Sequence, residues 1–315
     1  MKNYSVAIYG SSTRENFDKY SDKDILIVAQ SYNDLKALRT EYENQGFSVS
    51  AYTYSKLNFM SENGSLFIDH LVKESKIIFD NESKFSSILN NHKSKKPELK
   101  QFQENKKYFE ILKFVPNSKK GFGWFCDCFY VGIRNYLILK SAEKGNFNFS
   151  YLTLLDEIKN EGFISEKDVK ILRELRVVKR NYRERINNEL PSKYFISKIV
   201  KIAKKLDLLT TVNISDEFEF QNFIESSLIT DEYNHYQKLR LIEMYYHSKG
   251  IENKEIERII CNPQFYASFF KEEKYVLNII GKIAKNKKTS HNWQFGNMAV
   301  KELFKVCFAL ANFYL

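Results

Sequence analysis

The sequence predicts an α+β chain, a small sheet domain of about 90 residues followed by a larger all-helical region. Three observations predict it. Residues 4–54 hold three short β-forming runs separated by one turn and one helical stretch. Beyond the polar, lysine-rich stretch NNHKSKKPELKQ (90–101), the apolar pattern is helical. Only 4 prolines and 11 glycines interrupt 315 residues, which favours long helices.

Residues 4–10 read as a strand that enters a turn at Gly10-Ser11-Ser12. Residues 24–30, DILIVAQ, are apolar on both faces, the pattern of an interior strand. Ser31 or Asn33 caps a helix through Leu35, Leu38 and Tyr42, and Gly46 suits its C-terminal end. FSVSAYTY (47–54) alternates, which predicts a third strand with Ser48, Ser50, Tyr52 and Tyr54 on one face. A helix is expected over about 55–75, and KIIFD (76–80) is a short apolar strand or a helix end.

In the second part, aromatic-rich helices are expected at 101–115 and 124–144, separated by VPNSKKGFG. Two more start near Ser150 and Ser165, the latter with the capping-box spacing Ser165-Glu166-Lys167-Asp168. Pro191 is expected to end that helix, and DEYNHYQKLRLIEMYYHSKG is a helix with a glycine stop. The chain thus divides into an α/β domain (1–90), a helical domain (91–205) and a C-terminal helical subdomain (206–315).

Composition narrows the partners. Lys and Arg number 49 against 39 Asp and Glu, a net charge of +10, which suits a polyanion such as RNA, DNA or a nucleotide. A lysine- and asparagine-rich composition produces the same excess without any such partner. No apolar run approaches membrane-spanning length, and the polar first residues carry no signal-peptide pattern. Cys126, Cys128, Cys261 and Cys307 lack zinc-ribbon spacing, and Cys126-x-Cys128 reads as buried packing. A cytoplasmic protein with reduced thiols, away from the membrane, is expected.

The chemistry concentrates in YGSSTRENFDKYSDKDILIV (9–28). Asp22 and Asp24 sit at i and i+2, so on a strand they project from one face. Two carboxylates so close repel each other, and a divalent cation removes the conflict. Hard oxygen ligands suit Mg²⁺ or Mn²⁺, which typically adds substrate phosphates to one or two carboxylates. Gly10, Ser11 and Ser12 offer close backbone approach and hydroxyls for a triphosphate, and Arg14 adds charge-assisted bonds to phosphate.

This order of apolar strand, Gly-Ser, Arg-containing spacer, Ser-Asp-x-Asp and apolar strand resembles the signature of DNA polymerase β-like nucleotidyltransferases. The likeness covers residues 4 to about 80 and is nearest in style to small bacterial members and kanamycin-type antibiotic nucleotidyltransferases. It implies that Gly10 and Ser11 hold a nucleoside triphosphate such as ATP and that Asp22 and Asp24 hold the metal. It implies transfer of a nucleoside monophosphate to an acceptor hydroxyl on RNA, protein or a small molecule. Family habit points to a bacterial antiviral-defence or toxin–antitoxin setting, with a protein partner.

Active members usually add a third carboxylate from the next sheet strand, and FSVSAYTYS (47–55) contains none. Asp69 is the nearest later candidate, with Glu74 behind it; His70 reads as structural or nucleotide-contacting. Without a third acid, a catalytically degenerate nucleotide- or nucleic-acid-binding module within a larger complex is the alternative.

The helical region adds two features. In residues 171–186, Ile171, Leu175, Val178, Tyr182 and Ile186 form an apolar face, with Arg173, Arg176, Arg180 and Arg183 expected opposite, in a row suited to phosphate. A solvated face paired with Glu174 and Glu184 is the plain alternative. Lys93, Lys95, Lys96, Lys100, Lys285, Lys287 and Lys288 would extend a basic path. In RLIEMYYH, Arg240 and His247 are separated by six residues, a spacing that resembles the Arg-x4-6-His pattern of HEPN ribonucleases. The polar residue that commonly follows that arginine is Leu241 here. This likeness implies a ribonuclease as a second alternative.

Overall fold

A computed structural model describes residues 3–14, 23–186, 189–230, 232–261 and 275–283. Asp22, Lys285, Lys287, Lys288 and Cys307 lie outside the described residues. The described residues form two compact units, those within Met1–Glu98 and Ile138–Leu154, and those within Leu99–Leu137 and from Leu155 to 283. Residues 138–154 belong to the first unit.

The first unit is built on a four-stranded sheet in the order β3-β2-β1-β4, from β1 (Tyr4–Tyr9), β2 (Asp24–Ala29), β3 (Ser48–Thr53) and β4 (Ser75–Asp80). β1 runs antiparallel to β2 and β4, and β2 runs parallel to β3. Parallel neighbours need a crossover, supplied by α1 (Tyr32–Asn44), with Ser31 as its N-cap. Ile25, Ile27, Ala29, Val6, Val49 and Ala51 pack with Leu35 of α1 on one face. On the other, Ala7, Tyr9, Leu26, Val28 and Tyr52 meet α2 (Tyr54–Glu62), α3 (Leu66–Glu74) and α4 (Lys84–Asn90), so Tyr54, expected as the end of the third strand, instead starts a helix. β2 is thus an interior strand, as its apolar run indicates.

The single helix expected over 55–75 is two helices. Asn63-Gly64-Ser65 breaks it: Gly64 takes φ +68°, and the Ser65 side chain caps α3 by accepting from Phe67 N. KIIFD is the edge strand β4. Its last residue, Asp80, accepts from Ser5 Oγ (2.7 Å), from Phe85 N (3.0 Å) and from Ser86 N (2.8 Å).

The second unit contains α5 (Leu99–Tyr108), β5 (Phe114–Pro116), most of α6 (Lys119–Glu143) and of α7 (Tyr151–Asn160), α8 (Glu166–Arg183) and α9 (Lys193–Lys205). Then follow β6 (Asn213–Ser215), α10 (Glu217–Ile229), α11 (His235–Ser248) and α12 (Lys254–Cys261); residues 275–283 are also helical. The region is not purely helical, because β5 and β6 form a two-stranded parallel pair. α8 opens with the expected capping box, Ser165 and Asp168 bonding each other's backbone N–H. It ends at Arg183 with Glu184 as its C-cap, and Arg185, with φ 60°, turns the chain away before Pro191 is reached. Ser165→Ala should therefore cost ~1 kcal/mol, read as a lower urea midpoint with unchanged helical circular dichroism.

Candidate functional site

The acidic end of β2 and the turn after β1 lie together. Tyr9 pairs with Asp24 across the sheet, so the chain enters the Gly10–Thr13 turn beside the residue that starts β2. Gly10 has φ +77°, a conformation that disfavours any side chain. A Cβ there would lie 3.3 Å from Asp24 Oδ2 and 3.8 Å from His70 Cε1. Gly10 thus lets backbone lie close to both the Asp24 carboxylate and the His70 imidazole.

The turn is tied down by its own hydroxyls. Ser12 Oγ donates to Tyr9 O (3.1 Å), so this candidate phosphate ligand is occupied inside the turn. Thr13 Oγ1 donates to Gly10 O (2.8 Å) and to Glu74 O (3.2 Å), which fastens the turn to the end of α3. Arg14 NH2 meets Glu74 Oε2 at 2.5 Å, and His70 Nε2 meets the same oxygen at 3.0 Å. Phe149 stacks on His70 with ring centroids 4.6 Å apart, and Lys73 Nζ donates to Asn146 O. Residues 146–149 therefore buttress α3 where it faces Gly10.

Burial pushes the Glu74 carboxyl up, but hydrogen bonds from His70 and Arg14 outweigh it and bring the pKa from 4.5 to about 2. An acid of depressed pKa adds stability above its unfolded value and loses it as pH falls through the folded one. Glu74 should contribute on the order of 3 kcal/mol above pH 4.5, lost toward pH 2. An acid titration of the urea midpoint should show Glu74→Gln flattening that limb.

Asp69, the candidate third acid, is buried; its Oδ1 takes His92 Nε2 (3.1 Å) and Ser94 Oγ, while its Oδ2 has no hydrogen-bond partner. The α3 side chain beside Gly10 and Asp24 is its neighbour, His70. Ser48 stands opposite Asp24 in the parallel register, and Ser50 Oγ bonds Tyr9 OH (2.6 Å), so β3 presents hydroxyls at this end of the sheet. Among the described residues no three His, Cys, Asp or Glu side chains converge as a metal site. Asp24 with phosphate oxygens fits the one-or-two-carboxylate pattern of Mg²⁺.

In the second unit the expected arginine row loses a member. Arg183 turns inward, its Nε 3.0 Å from Asp127 Oδ1. Arg173 pairs with Asp156 (3.5 Å) and Arg180 with Glu184 (2.7 Å), while Arg176 is half-buried. The buried face of α8 runs through Val169, Leu172, Leu175, Val178 and Tyr182, leaving Ile171 and Ile186 half-exposed. Lys93, Lys95 and Lys96 are exposed; Lys95 donates to Glu62 O, and Lys100 lies 3.9 Å from Glu104.

Arg240 and His247 belong to one polar chain. Arg240 is fully buried, with NH2 2.5 Å from Asp127 Oδ2 and Nε 2.8 Å from Glu243 Oε2. The angles of these approaches are poor, so they act as charge pairs more than as hydrogen bonds. Tyr182 OH bridges Glu243 (3.1 Å) and His247 Nδ1 (3.2 Å). Burial pushes the Asp127 carboxyl up, but Arg183 and Arg240 hold it far below the usual carboxylate range. A guanidinium with no exposed surface meets no RNA phosphate in this conformation, so the geometry gives the ribonuclease alternative no support. Cys126 and Cys128 are buried free thiols, and burial pushes Cys128 up to about 12.

Fold and site define a mixed α+β chain whose sheet unit holds a glycine turn against an acidic strand start. No protein-family model matches the sequence, and no curated protein matches it. Among the described residues no helix is long and apolar enough to cross a membrane.

Proposed function

We propose that the sheet unit is a DNA polymerase β-like nucleotidyltransferase domain that takes a nucleoside triphosphate with Mg²⁺ and acts on an acceptor hydroxyl of RNA, protein or a small molecule. The observation that carries the reading is the apposition of Gly10 and Asp24 at one end of the sheet, in the chain order of the motif. Asp24, with Asp22 two residues before it, would hold the nucleotide's cation. When bound, that cation neutralises phosphate charge and lowers the cost of the developing leaving oxygens. Gly10 and Ser11 would receive the phosphate chain along the backbone, and Arg14 would add a guanidinium. The acceptor oxygen bonds to the α-phosphorus, the bond to the bridging oxygen breaks, pyrophosphate leaves, and the hydroxyl proton passes to water.

The test is incubation with α-³²P-labelled nucleoside triphosphates, Mg²⁺ and total RNA or lysate protein. Covalent label on an acceptor supports transfer. Nucleotide binding with no acceptor labelled favours the degenerate binding module, to which the hydroxyl-bearing β3 gives specific support. Absence of nucleotide binding overturns transfer and the nucleotide-binding form of that module.

A further inference from the structure

The inference rests on the nucleotide reading above and concerns Arg14. Its guanidinium is engaged before any ligand arrives, at 2.5 Å from Glu74 Oε2. Glu74 is an unfavourable place for that partner. It is the last residue of α3, where the unpaired carbonyls of the final turn repel an acid. Its side chain is also largely buried, which disfavours the charge. Two donors keep it ionised: His70 from one turn back and Arg14 from the glycine turn. Arg14 is itself incompletely satisfied in this pose, because its buried Nε has no hydrogen-bond partner.

We propose that Glu74 is an internal competitor for phosphate, holding Arg14 in the nucleotide-free protein and yielding it to the phosphate chain of a bound triphosphate. His70 makes the exchange feasible, since Glu74 keeps its Nε2 donor when Arg14 leaves. The orphaned Nε gives Arg14 a reason to move, because a phosphate with three acceptor oxygens satisfies more of the guanidinium fork than one carboxylate oxygen does. Glu74 thereby sets the affinity threshold of the site.

The experiment is calorimetric titration of the full chain with Mg-ATP at constant ionic strength. It compares wild type, Glu74→Gln, Arg14→Gln and the double variant, each checked by thermal unfolding. Glu74→Gln should bind roughly tenfold tighter, the worth of one charge-assisted bond released from competition. Arg14→Gln should bind more weakly, and the double variant should match Arg14→Gln. Unchanged or weaker binding by Glu74→Gln overturns the proposal. So does a gain that persists without Arg14, which would mark a general charge effect. If neither wild type nor Glu74→Gln binds Mg-ATP, the nucleotide reading itself fails and the proposal falls with it. Should Glu74→Gln fail to fold, Glu74→Asp, with shorter reach, should shift affinity in the same direction.

Discussion

Asp24→Asn should lower monophosphate transfer roughly a thousandfold while leaving the sheet unit folded. The side chain sits at the first position of β2, half-buried, on a strand whose next residues are wholly enclosed. Its position is therefore fixed by the core, and asparagine keeps its shape. What asparagine loses is the charge that binds the nucleotide's cation, an effect of several kcal/mol on the transition state. The Mg²⁺ dependence of ATP affinity should disappear in the variant, a readout that needs no acceptor. Transfer within tenfold of wild type, or undiminished Mg²⁺ dependence, would sink the assignment of Asp24.

Arg240→Ala should destabilise the helical unit by roughly 3–5 kcal/mol. Two carboxylates, Asp127 and Glu243, and two guanidinium groups, Arg183 and Arg240, share this interior. Removing Arg240 leaves Arg183 to serve both acids, one of them at 3.6 Å. Trp124 Nε1 donates to the Arg240 carbonyl (3.0 Å), so the indole would keep its partner and the loss would isolate the charge. Urea unfolding should show the midpoint drop, and Glu243→Gln in the same chain should recover part of it. A shift below about 1 kcal/mol would mean that the interior hydrates the acids instead.

The same residues show what was legible in the sequence. β2, the capping box at Ser165 and the glycine stop at Gly250 are local signals, encoded within a few residues, and the structure agrees with each. β5 and β6 are three residues apiece, too short for any period to register, and they pair across about a hundred residues. The apposition of Gly10 and Asp24 was legible because each borders a strand that its apolar run announces. His70, Glu74 and Thr13 were not, since only tertiary packing brings α3 to the turn. Arg183 was misplaced by a coarse wheel: it lies about 20° from Leu172 around the helix axis, between that residue and the buried Val169. A buried Asp127 on another helix draws it inward, and nothing in α8 itself announces that acid.

Asp80 carries a consequence for how the sheet unit comes apart. Its carboxylate ends the edge strand, receives Ser5 from β1 and caps the first turn of α4. Edge strands are ordinarily the first to fray. Here fraying would strip the cap from α4 and expose Phe85, which is wholly enclosed. Strand and helix should therefore open as one cooperative block, read as matching hydrogen-exchange protection in β4 and the first turn of α4.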